Sequence, residues 1–223
     1  MAILRGHWQL FLLTAVVFAL WNTPAVAPLK ILVVFLHEAA HAIMVILTGG
    51  EVVSLTVHSN QGGSVWARGG SRFWTLTAGY LGSLLIGVVL LIAATRTKAD
   101  RYVMGFCGVL MLLIAALYIR SGFALSFTIA VLVGMLVMAR YFGHAVNDLA
   151  LRIIGLSSII YVPYDIFSDT IARSHLRSDA RMLAEEFGGT TVMWGGLWLV
   201  ISLVVIVGCL WRGLGPNSNL SLR

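Results

Sequence analysis

Residues 35–43 read Phe-Leu-His-Glu-Ala-Ala-His-Ala-Ile. Two histidines, His37 and His41, stand four positions apart, with Glu38 directly after the first. On an α-helix, positions i and i+4 share a face and lie about 6 Å apart along the axis. Two imidazoles so placed can take adjacent corners of a tetrahedral zinc site. The carboxylate beside the first can then reach a zinc-bound water and accept its proton. His37 is eight residues into the apolar stretch Leu29–Leu47, about 12 Å from its start and too deep for snorkelling to reach water. Polar groups at that depth cost several kcal/mol unless they face a cavity or hold something. Polar glue between helices would not call for these three residue types at this spacing.

Catalytic zinc typically keeps three protein ligands and one open position, so a third is expected. Asp165 and Asp169 lie just beyond the apolar stretch Tyr141–Val162, four apart and on one helical face. Asp169 also suits a helix N-terminus, where the dipole favours an acid. Asp148 lies four after His144, next to Asn147, with Arg152 one turn on as an alternative partner.

These residues must be positioned by elements suited to a bilayer. Of the 223 residues, 59% are apolar and 11% charged, and the mean hydropathy is +0.93. Soluble domains carry about 25% charged residues, so the chain is an integral membrane protein, and its hydrophobicity excludes a disordered one. The net charge of +6 comes from basic residues scattered between apolar runs, as in the loops of a polytopic protein. It forms no stripe for nucleic acid, and no nucleic-acid partner is expected. Cys107 and Cys209 sit inside apolar runs, with no metal or disulfide spacing.

At about 20 residues per crossing, the spans fall near Trp8–Trp21, Leu29–Leu47, Phe73–Ala94, Tyr102–Ile119, Phe123–Ala139 and Val192–Trp211. Tyr141–Val162 is a further span or a re-entrant segment. The expected fold is an all-α polytopic membrane protein with about 6–7 transmembrane helices, forming a single domain over 1–223. The N-terminus has some marks of a signal peptide, namely Arg5, an apolar core and Ala25-Val26-Ala27. Pro28 makes a poor residue after a scissile bond, and an uncleaved first helix is expected.

Between the second and third spans, Val53, Leu55 and Val57 alternate with Ser54, Thr56 and His58. Asn60-Gln61-Gly62-Gly63 supplies a turn, and Ser64–Arg68 follows. This is a β-hairpin insertion, at about 51–68. Its open edges cannot face lipid. Gly79, Ser83 and Gly87 recur in steps of four, a face for close helix packing. The polar segment of about 163–190 carries Asp169, Arg173, Arg177 and Arg181 at four-residue intervals, as a solvated helix face would.

The motif His37-Glu38-Ala39-Ala40-His41 inside a hydrophobic helix resembles that of the site-2 proteases, zinc metalloproteases that cut within membranes. The Gly-rich hairpin and Ala78-Gly79 in the third span extend the likeness. The family's third ligand is an aspartate, usually as Asp-Gly after a Pro-containing stretch. Tyr161-Val162-Pro163-Tyr164-Asp165 is the best counterpart, with Ile166 in place of the Gly. The chain looks closest to the B-like bacterial branch, where text such as Asp165-Ile166-Phe167-Ser168-Asp169 and Ser178-Asp179-Ala180 is familiar. The resemblance implies an intramembrane zinc endopeptidase with Glu38 as catalytic base and His37, His41 and Asp165 on Zn2+. It also implies a membrane-protein substrate and a bacterial inner or plasma membrane. A metal or proton carrier, or a partner-binding relative that does not cut, is the alternative. Transporter-like inverted repeats are not found.

Overall fold

The computed structural model of the chain describes residues 2–175 and 177–220. Helix α1 (Ala2–Leu20) leads through a 3-10 turn at Pro24–Val26 into α2 (Ala27–Leu47). Strands β1 (Glu51–Val57) and β2 (Gly63–Arg68) follow. Next come α3 (Arg72–Arg96), α4 (Asp100–Tyr118), α5 (Gly122–Tyr141), α6 (His144–Phe167), α7 (Asp179–Phe187) and α8 (Thr191–Gly208). Among the described residues six helices are long and apolar enough to cross a bilayer, so the chain is a multi-pass integral membrane protein. They lie at Pro24–Leu47, Arg72–Arg96, Asp100–Tyr118, Gly122–Tyr141, His144–Ala172 and Thr191–Gly213. The expected first span at Trp8–Trp21 falls in α1, whose described apolar stretch, Arg5–Leu20, stands apart from these six.

Helix α3 is the central strut. It packs most extensively against α6 and closely against α2. Ser158 Oγ on α6 donates to the Ser83 carbonyl on α3 at 2.8 Å. A Cβ on Gly87 would stand 2.7 Å from Ser158 Cβ, and one on Gly155 would stand 2.8 Å from the Gly87 carbonyl oxygen. Without side chains in the way the two backbones approach, as small-residue packing predicts. Tyr80 contacts Asp169, Ser83 contacts Ser158, and Gly87 contacts Ser158 and Gly155, so α3 and α6 run antiparallel.

Two expectations about α6 change. Tyr141–Val162 is not re-entrant: the helix runs from His144 through Pro163 to Phe167 and continues as a π-turn at Ser168–Ala172. Beyond it the chain leaves the helix before α7 begins. The four-residue spacing from Asp169 to Arg181 therefore does not mark one continuous helix. Only its first step, Arg173 to Asp169 at 2.7 Å, is an ion pair across a turn.

The hairpin forms in antiparallel register, with Leu55 opposite Val65 and Val57 opposite Gly63, and a bulge between Val52 and Ser54. A bulge inserts one residue and resets the alternation of faces. Val52, Leu55 and Val57 are accordingly buried, while Val53 is 45% exposed. Thr56 and Ser121 share a hydroxyl hydrogen bond of 2.7 Å that ties β1 to the start of α5.

Candidate metal centre

The two histidines project from consecutive turns of α2, with Nε2 atoms 3.0 Å apart. A single oxygen, Asp179 Oδ2, lies 3.1 Å from His37 Nε2 and 3.2 Å from His41 Nε2. Ligands about 2.0–2.1 Å from a tetrahedral zinc stand about 3.3 Å from one another. The triangle of two imidazole nitrogens and one carboxylate oxygen is close to that size, and the donor set suits zinc. Among the described residues this is the one cluster of histidine, cysteine or acidic side chains whose ligand atoms converge in this way.

His41 is oriented by α3. Its Nδ1 lies 2.7 Å from the Thr75 carbonyl oxygen. A carbonyl only accepts, so Nδ1 carries the proton and donates, and the lone pair of the neutral ring is left on Nε2. Space for both Nε2 atoms depends on Gly79. A Cβ there would come within 2.5 Å of His37 Nε2 and of His41 Nε2. Of the stripe Gly79, Ser83 and Gly87, the last two serve helix packing, whereas Gly79 leaves room for the imidazoles.

Glu38 is buried, at 5% exposure. A Cβ on Gly63, the first residue of β2, would lie 2.5 Å from Glu38 Oε1. The hairpin therefore crosses Glu38 at a glycine, and its strand starts against the carboxylate.

Asp179 comes from outside the spans. Ser178 caps α7, its side chain accepting from the Arg181 N–H at 3.3 Å. Asp179 then occupies the first turn, where the helix dipole favours an anion. Ala180 and Leu183 are fully buried and pin α7 into the core. Arg72 reaches across from α3 to Glu186 at 3.0 Å and to Met182 Sδ at 3.2 Å. Burial would raise the Asp179 carboxyl. The imidazoles beside it, His41 foremost, outweigh that and hold it well below the ordinary carboxylate range.

The other acids weighed from the sequence stand elsewhere. Asp165, expected as the third ligand, lies in the last turn of α6 and is not in the converging group. The chain uses the break after Ala172 to turn back, and it is Asp179 on the returning helix that meets the imidazoles. Asp169 accepts from the Tyr80 hydroxyl at 2.8 Å and from Arg173. Asp148 is paired with Arg152 at 2.6 Å. Asp179 was visible in the sequence only as part of Ser178-Asp179-Ala180. A serine cap followed by an acid, with Ala180 and Leu183 three apart, was the available signal of a short amphipathic helix with an anion at its start.

No curated protein and no solved structure matches the chain. The family model of the Peptidase M50B-like proteins matches residues 10–209. That match runs from within α1 to the end of α8 and takes in the histidines, Glu38, the hairpin and Asp179, and the chain accordingly belongs to the Peptidase M50B-like family.

Proposed function

We propose that the chain is an intramembrane zinc endopeptidase that hydrolyses peptide bonds in or near the spans of other membrane proteins. On the resemblance to the bacterial branch, its bilayer is a bacterial inner or plasma membrane. The observation that carries the reading is the convergence of His37, His41 and Asp179 next to the buried Glu38. Among the described residues the ion pairs of Asp179 are with the two imidazoles alone. A divalent cation would complete that charge balance.

Zinc held there supplies a Lewis acid that polarises the scissile carbonyl and makes water a stronger acid. His37, His41 and Asp179 would hold it, with Asp179 proposed as the third ligand in place of Asp165. Glu38 takes the proton of the attacking water and returns it to the leaving amine. A helical substrate hides its scissile carbonyl in helix hydrogen bonds and must be extended first. The two-stranded sheet leaves an unpaired edge on β2, and β2 begins against Glu38. Strand addition there would carry an extended peptide past the base.

The test is metal content and cleavage measured side by side on detergent-purified protein. About one zinc per chain is expected, lost from a His37→Ala, His41→Ala variant. Glu38→Gln keeps zinc and loses about 10²–10⁴-fold in cleavage rate. Zinc retained by the double variant, or full cleavage by Glu38→Gln, would overturn the assignment.

A further inference from the structure

We infer that Tyr80 and Asp169 form a positioning unit for His37, doing for that ligand what the Thr75 carbonyl does for His41. The inference rests on the proposed metal site and deepens it.

The two imidazoles are held by different means. His41 has a hydrogen bond at Nδ1 that sets its ring and its tautomer. The hydrogen bonds of His37 among the described residues all run through Nε2, the atom that faces Asp179 and His41. A metal-ligating histidine normally donates its other ring N–H to a fixed acceptor. In place of that acceptor, His37 meets an aromatic wall. The Tyr80 ring lies 4.8 Å from it, centroid to centroid, at 80°. Edge-to-face contact of this kind is directional and restricts ring rotation.

Tyr80 can act as a wall because it is fixed itself. It is 2% exposed, and its ring lies 5.3 Å from that of Trp198 on α8. Its hydroxyl donates to Asp169 Oδ2 at 2.8 Å, and Arg173 holds the other oxygen of Asp169 at 2.7 Å. The proton of that hydroxyl is committed to a carboxylate, so Tyr80 is not a donor to a developing oxyanion; it is a positioning residue. Asp169 sits on the π-turn that closes α6 and leads toward α7, whose first residue is Asp179. The Tyr80–Asp169 bond thus ties α3, behind His37, to the segment that delivers the third ligand.

The experiment uses the full chain in detergent with Tyr80→Leu, Tyr80→Phe, Asp169→Ala and Asp169→Asn. Zinc affinity is read by chelator competition, ligand geometry by the visible absorption of the cobalt-loaded protein, and folding by thermal melting. Tyr80→Leu is expected to weaken zinc by about 10–100-fold, the range for lost outer-shell partners, and to shift the cobalt bands. Tyr80→Phe keeps the ring and loses the tether, so its effect is smaller. Asp169→Asn keeps an acceptor for the hydroxyl and should recover most of what Asp169→Ala loses. A role confined to helix packing would lower the melting temperature without moving the cobalt bands. Wild-type zinc affinity and cobalt spectra in folded Tyr80→Phe and Asp169→Ala would overturn the inference. A wild-type protein that takes up no zinc would overturn the metal site itself, and this inference with it.

Discussion

Buried charge occurs near both ends of α6 and is balanced differently at each. Near its start, Asp148 and Arg152 are 1% and 3% exposed and form an ion pair, with Nε 2.6 Å from Oδ2 and a hydrogen bond from Nη2 to Oδ1 at 3.0 Å. Arg152 also donates to the Ser218 carbonyl, and His144 pairs with the fully buried Asp100. Each carboxylate there has a cationic or basic partner on the chain. Near the other end, the ion pairs of Asp179 are with His37 and His41, and among the described residues no lysine or arginine pairs with Asp179 or Glu38. A buried carboxylate that has its own guanidinium has its charge matched within the chain. On the proposed function, one that shares a pocket with two imidazole nitrogens is where a cation from solution would bind, and that difference would separate a structural cluster from a functional one.

The most direct way to break this comparison is to remove one carboxylate from each end. Asp179→Ala should lose nearly all zinc and cleavage, because it deletes a ligand. Asp148→Ala should keep zinc but lose about 3–5 kcal/mol of stability, because Arg152 is left buried and unpaired. Metal analysis and denaturant melts on both variants check this, and zinc loss from a folded Asp148→Ala protein would erase the distinction.

A smaller effect sharpens the picture of the metal end. In Gly79→Ala the added methyl meets both Nε2 atoms, whereas in Gly134→Ala nothing lies within 4 Å of the new Cβ. Zinc affinity by chelator competition should fall in the first and be unchanged in the second. Equal affinities would show that the imidazoles can move aside freely.

The smallest expected effect is that of Asp165→Ala. Its zinc stoichiometry should equal that of the wild type, with at most a modest change in affinity. A loss matching that of Asp179→Ala would put Asp165 in the ligand set and detach α7 from it.

Much of the site was legible in one dimension because it is built from local geometry. The helical repeat alone brings His37, Glu38 and His41 together, so their types and spacing were enough to name them. The hairpin was readable for the same reason, since alternation and a Gly-rich turn are properties of neighbouring residues. Its bulge was not: with Val52 and Val53 side by side, only packing against α2 and α4 decides which one turns inward.

Hydropathy, the helical repeat and strand alternation therefore determined by themselves that the chain is an integral membrane protein, that its second span carries two imidazoles and a carboxylate on adjacent turns, and that a strand pair follows. Tertiary structure decided which acid meets them. Asp165, Asp169 and Asp179 all lie in one polar stretch, and no local rule ranks them. The choice is made by α6 running through Pro163, by the π-turn and the break after it, and by Ala180 and Leu183 seating α7 in the core. Those events bring Asp179 to a histidine 142 positions away. A contact at that separation is set by how helices pack, and packing depends on the shapes of several elements at once.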